Sequence, residues 1–174
     1  ISEYDDWRFY IVKGKDYANR NYEPGNTLGL IAPILLAFNI SEKDLIEVAK
    51  RNANFIEGAE KAIALLKGLH EFNVITTSYE QYIEHTAKLV GILKQNTYGT
   101  YFPINEYRDI DEKDKKLVKQ CIPIIEKLSR LNIGPNSKKT DLNSEQLEAV
   151  KKLDYFFFEL LPQTSFKEIL ENIK

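Results

Sequence analysis

The sequence predicts a helix-rich α/β chain whose parallel sheet is incomplete, and three observations carry that expectation. Apolar residues recur at helical spacing through six or seven segments. Two short runs, residues 72–77 and 96–102, are β-branched or aromatic and bounded by polar or proline residues, as strands are. The first run ends in hydroxyl residues and passes directly into a helical pattern, which is half of a βαβ unit. Two parallel strands cannot cover both faces and pair both edges, so the missing core strands belong to an unseen part of the protein or to a partner.

Taken in order, residues 1–23 mix aromatics and charges and are read as helical. Dense apolar positions over 26–38 predict a buried helix, kinked at Pro33 and short for a membrane span. Ser41 is an expected N-cap, with Asp44 three residues on and Leu45, Val48 and Ala49 on one face. A helix over about 57–70 places Ala62, Ile63, Leu66 and Leu69 on a stripe. After the first strand, Tyr79, Tyr82, Ile83, Thr86, Leu89 and Val90 follow helical spacing, and Gly91 suits a C-cap. Pro103 closes the second strand. Asp111 opens a long helix with Leu117, Cys121, Ile124, Ile125 and Leu128 inward and Pro123 interrupting it. Residues 134–141 are a loop by composition. Asn143 with Gln146 caps a helix carrying Leu147, Val150, Phe157 and Leu161, and residues 166–173 form a last helix. No internal repeat or low-complexity tract is visible.

Composition narrows the functional classes. The 174 residues are 43% hydrophobic and 29% charged, a globular balance sufficient for one domain with a substantial core. A net charge of -2 offers no basic field for a phosphate backbone, which argues against nucleic acid as a partner. The single cysteine, Cys121, has no internal disulfide partner, which points to a reducing, cytoplasmic setting, and no targeting segment is visible. The chain opens on Ile1 and contains no methionine, so the true N-terminus is expected upstream.

The sharpest chemical feature is Val74-Ile-Thr-Thr-Ser-Tyr79. A buried strand ending in hydroxyls at a helix N-terminus presents O–H and N–H donors to an anionic oxygen. The competing reading, in which Thr77 or Ser78 only caps the helix, is the commoner use of such residues. Other constellations are weaker. Asp109-Ile-Asp111 matches Asp-x-Asp literally but leads into a polar helix start, where acids complement the dipole. Asp114 completes three acids without the glycine of a calcium loop. His70 and His85 lack zinc-ligand spacing. Cys121 falls on an apolar stripe, Tyr155 to Phe158 read as interlayer packing, and Lys138 with Lys139 reads as a solvated pair.

Val74-Ile-Thr-Thr-Ser-Tyr-Glu-Gln-Tyr82 resembles the second motif of the haloacid dehalogenase superfamily, a hydrophobic strand ending in a phosphate-binding Ser or Thr. More narrowly, the chain is similar to an archaeal branch known as subunit R of energy-converting hydrogenase A. Three further stretches, in the same order, carry that likeness: Tyr4-Asp-Asp6, Tyr22-Glu-Pro-Gly-Asn-Thr-Leu28 and Asn96-Thr-Tyr-Gly-Thr100. The resemblance covers about residues 1–102. It implies a helical cap plus part of a Rossmann-like parallel sheet, divided as cap (1–56), motif-II helix, strand and helix with the following strand (57–102) and a helical region (103–174), treated as one domain.

By resemblance, an aspartate nucleophile attacks a phosphoryl group while Mg²⁺ neutralises its charge. Thr76 is then the phosphate-binding hydroxyl, Thr77 its register alternative, and Ser78 a neighbour at the entrance. Tyr79, Tyr82, Asp5 and Asp6 would face a small phosphate ester. The departures are equally specific: no hydrophobic strand ends in Asp-x-Asp, and none of the eight glycines precedes an aspartate. The nucleophile and Mg²⁺ ligands are thus expected outside the chain. The other class of function is a non-catalytic interaction subunit or remnant that docks on a protein partner in a hydrogenase-like complex.

Overall fold

The computed structural model describes residues 1–8, 27–107, 109–129 and 138–173. The helical reading of residues 9–23, the Tyr22 motif up to Asn26 and residues 134–137 of the 134–141 loop lie outside them. The fold is helix-rich α/β with one small parallel sheet. Two compact units form: Ile1–Asn39 joins Asp109–Asn172, and Ile40–Arg108 stands as the other. The beginning and end of the chain therefore share a unit.

The first unit is helical. It contains α1 (Ser2–Trp7), α2 (Thr27–Ala37), α6 (Glu112–Lys119), α7 (Ile122–Glu126), α8 (Ser144–Tyr155) and α9 (Lys167–Asn172). The helix α2 runs through Pro33 and stops where Asn39 takes a left-handed φ of 56°, a conformation asparagine tolerates. The long helix expected from Asp111 is two helices, because Pro123 near the start of α7 supplies no N–H to continue the ladder from α6. Asn143 and Gln146 form the expected capping box of α8. Beyond Tyr155 the helix widens into a π turn over Phe156–Leu160, which resolves the crowding of adjacent aromatics: Phe156 and Phe157 go inside and meet edge to face at 5.0 Å.

The second unit holds α3 (Glu42–Asn52), α4 (Ala59–Leu69), β1 (Val74–Tyr79), α5 (Glu80–Leu89) and β2 (Thr97–Thr100). Ser41 caps α3 as expected: its N–H donates to Asp44 Oδ2 at 2.8 Å and its Oγ accepts from the Asp44 N–H at 3.3 Å. α3 packs against α5, and α5 covers one face of the parallel pair. Alternate residues Val74, Thr76 and Ser78 are half-buried, whereas Ile75 and Thr77 are exposed, so the opposite face of the sheet is open. The buried residues are Ala49, Tyr79, Ala87, Ile92, Phe102 and Ile104. No described helix is long and apolar enough to cross a membrane.

Candidate functional site

The strand expected over 72–77 lies two residues later, so the hydroxyl cluster belongs to the strand itself. Val74 pairs with Thr97 and Ile75 with Tyr98, but the next partners are Tyr79 and Thr100. Between those pairs β1 advances four residues and β2 two, a bulge that holds Thr76, Thr77 and Ser78. The Thr76 Oγ1 accepts from the Ser78 N–H at 3.1 Å, which leaves its own O–H to donate. Thr77 points to the open face, and its carbonyl accepts from Thr100 Oγ1 at 2.8 Å. Thr76 and Ser78 thus share one face, and Thr77 does not.

Helix α5 starts at once. Its N-cap residue, Tyr79, makes no side-chain cap, so neither Thr77 nor Ser78 serves as the N-cap. Tyr79 itself is buried, its ring stacked on Phe102 at 4.6 Å between centroids, and burial drives its hydroxyl well above the usual phenol pKa. Tyr82 is half-buried, with its hydroxyl 3.5 Å from the Asn52 carbonyl at the end of α3.

Asp5 and Asp6 lie in the other unit, on α1. Asp5 is buried and accepts the Thr27 hydroxyl. Burial raises its pKa, against the lowering effect of that hydrogen bond. Asp6 is half-buried, and its pKa is also raised, by burial and then by Glu3. Beside them, Tyr4 donates to Asp154 Oδ1 at 2.7 Å, and the buried Arg8 pairs with the same carboxylate.

Sequence reasoning missed a cleft of about 820 Å³ beside the first turns of α5. Glu80, Gln81, Glu84, His85 and Lys88 line it from α5, and Glu42, Tyr101, Asn105 and Glu106 from neighbouring segments. The signal was present in part, since Glu80, Glu84 and Lys88 recur at i, i+4. The lining is acidic: Glu42, Glu80, Glu84 and Glu106 against Lys88 and Lys94, with Lys94 bound to Glu84 at 2.7 Å. Burial and then Glu84 raise the pKa of Glu80, and Glu106 raises that of Tyr101. Among the described residues that line it, carboxylates outnumber the cations, so an anion bound here needs further positive charge.

Among the described residues, no group of three or more His, Cys, Asp or Glu side chains could hold a metal. The chain's own described residues therefore do not fit the Mg²⁺ site that the resemblance implies.

No family model and no curated protein matches the chain. Among solved structures, gene product AF1437 from Archaeoglobus fulgidus is similar, with 29% identity and a TM-score of 0.74. The match covers 99% of this chain and 47% of that one, so the chain spans about half the length of the structure it resembles.

Proposed function

We propose that this chain is the cap region and second-motif strand of a haloacid dehalogenase-type, Mg²⁺-dependent phosphohydrolase of the cytoplasm. On this reading Thr76 binds the phosphoryl oxygen of a small phosphate ester, with Ser78 beside it. The observation that supports it is the bulge that sets these hydroxyls on one face of a parallel strand, directly ahead of the uncapped N-terminus of α5. Residues outside this chain would hold the metal and supply the aspartate nucleophile. The acidic lining of the adjoining cleft agrees with that division, since it cannot neutralise a phosphate dianion unaided.

The test is hydrolysis of small phosphate esters, p-nitrophenyl phosphate among them, by the natural polypeptide with and without Mg²⁺. The full polypeptide is expected to turn over and the 174-residue chain alone to be inactive. Replacing Thr76 with Val is expected to lower kcat/KM about 10- to 100-fold, the worth of one hydrogen bond to a charged group. Full activity in T76V, or no hydrolysis by the natural polypeptide, defeats the reading.

A second reading, a non-catalytic subunit docked in a larger hydrogenase-like complex, is favoured by one observation. The Ile40–Arg108 unit exposes several large apolar side chains, among them Ile56, Leu65, Leu69, Ile75 and Leu93. Stable co-purification with another protein, without phosphatase activity, would select it.

A further inference from the structure

The cleft beside α5 gathers more negative charge than its own lysines answer. Among the described lining residues, Glu42, Glu80, Glu84 and Glu106 meet two lysines, which leaves an excess of two negative charges. Lys94 is committed to Glu84 at 2.7 Å. Glu42 is fixed by Asn105, whose Nδ2 donates to its Oε2 at 2.9 Å from 63 residues along the chain. Burial raises the pKa of Glu80 first, and Glu84 and Glu42 add to it, so these carboxylates repel one another within one field.

The rest of the lining indicates what such a field would receive. A volume of about 820 Å³ is in the range of sites that enclose a small molecule. Ile46, Ile92, Pro103 and Ile104 give the cleft apolar surface, and Tyr101 adds an exposed ring of the kind that attracts ammonium groups. Gln81 is a separate indication. Its Nε2 donates to the Phe102 carbonyl at 2.9 Å, which fixes the amide, while its Oε1 is buried with no hydrogen-bond partner among the described residues. A buried acceptor left unpaired is costly, and a donor brought by a ligand removes that cost. Carboxylates and an amide oxygen accept without donating, so the fitting occupant carries both positive charge and N–H groups. A bare metal ion fits poorly, because no group of three or more His, Cys, Asp or Glu side chains among the described residues could hold one.

We infer that this cleft binds a small aliphatic amine with two or more primary ammonium groups, its charges met by Glu42, Glu80 and Glu106 and one N–H by Gln81 Oε1. The apolar surface suits the alkyl chain between the charges. A cleft that encloses a whole small molecule favours a free amine over a single lysine side chain of another protein. The ligand needs no phosphate, so the inference does not rest on the phosphohydrolase reading.

The natural polypeptide is titrated with cadaverine, an aliphatic diamine, by calorimetry at low salt. One cadaverine per chain is expected, with a Kd below about 1 mM that rises as salt is added. Glu80→Gln and Glu106→Gln should each weaken binding about 5- to 10-fold, while Glu168→Gln on α9, outside the cleft, leaves it unchanged. Pentamethonium keeps both charges and the alkyl chain but has no N–H, and should bind about 10-fold more weakly or worse. Should a variant fail to accumulate, amide chemical shifts of the unsubstituted polypeptide decide: cadaverine should move Gln81, His85 and Asn105. The inference is overturned by the absence of saturable binding, by binding that the cleft variants leave unchanged, or by shifts confined to other residues. Equal affinity for pentamethonium overturns it too, as does displacement of cadaverine by Mg²⁺ at equal concentration, since each shows a site that reads charge alone. Tighter binding of N-acetyl-lysine methylamide than of cadaverine would assign the cleft to a protein's lysine instead. T76V leaves all of these readouts unmoved, so the two readings fail separately.

Discussion

Two aspartates of the helical unit are buried to a similar degree and titrate in opposite directions. Asp5, 5% exposed, has its pKa raised by burial, and the single Thr27 hydroxyl does not offset it. Asp114, 7% exposed, is also pushed up by burial, but the Ser165 N–H at 2.9 Å and hydroxyl at 2.7 Å outweigh that and hold it below the usual carboxylate value. Asp114 therefore contributes stability that is fully present above the unfolded carboxylate pKa of about 3.9 and is lost as pH falls through its lower folded value. Replacing Asp114 with Asn is expected to destabilise the chain at pH 7 by about 1.5–3 kcal/mol, the worth of hydrogen bonds to a charged acceptor. The deficit should shrink below about pH 4. Thermal melts of both proteins from pH 3 to 7 check this, and an equal deficit at both ends would mean that charge plays no part. Sequence alone showed Asp114 as the third of three clustered acids; its partner lies 51 residues away, which no local pattern reveals.

At the scale of elements, legibility followed the range of the interactions. The caps at Ser41 and Asn143 were readable because donor and acceptor lie three residues apart. The split between α6 and α7 was readable from Pro123 in part, since the missing donor was visible but the exact break was not. The stripe on α4 was found correctly as a helix, yet periodicity says only that a helix has an apolar face and not where its cover comes from. The acidic cleft was hidden for a related reason, since segments far apart in the chain build it. The β1–α5–β2 unit also depends on a residue with no chemistry of its own. A Cβ on Gly99 would lie 2.8 Å from the Ser78 carbonyl oxygen and 2.9 Å from Ile83 Cγ2, so only glycine lets β2 approach β1 beneath α5. Gly99→Ala should cost about 1–3 kcal/mol through backbone displacement. Gly68→Ala, in α4 with nothing within 4 Å of the new carbon, should instead stabilise by about 0.5–1 kcal/mol through helix propensity. Urea titration of the two variants checks the contrast, and a neutral G99A would mean that the strands separate without loss.

Over the whole molecule the two units differ in how completely they close a core. The helical unit buries Tyr4, Trp7, Phe156, Phe157 and Phe166 together with aliphatic residues from every one of its longer helices. The Ile40–Arg108 unit buries few large side chains and leaves Ile56, Leu65, Leu69 and Ile75 in water. Hydrophobic burial is the main term offsetting chain entropy, so protection against opening should follow this division. In the 174-residue chain by itself, amides of β1 and α4 are expected to exchange at least about 10-fold faster than those of α8, a difference of about 1.4 kcal/mol in opening free energy. Hydrogen exchange read on peptides from each element measures it directly. Equal protection would mean that the two units open as one cooperative body and that the exposed apolar face costs the fold little. The expected gradient would mean that the unit carrying Thr76 is held open by what it lacks. Any anion binding at the strand end would then depend first on completing the sheet, because a hydroxyl on a fluctuating strand cannot hold a phosphoryl oxygen in a fixed position.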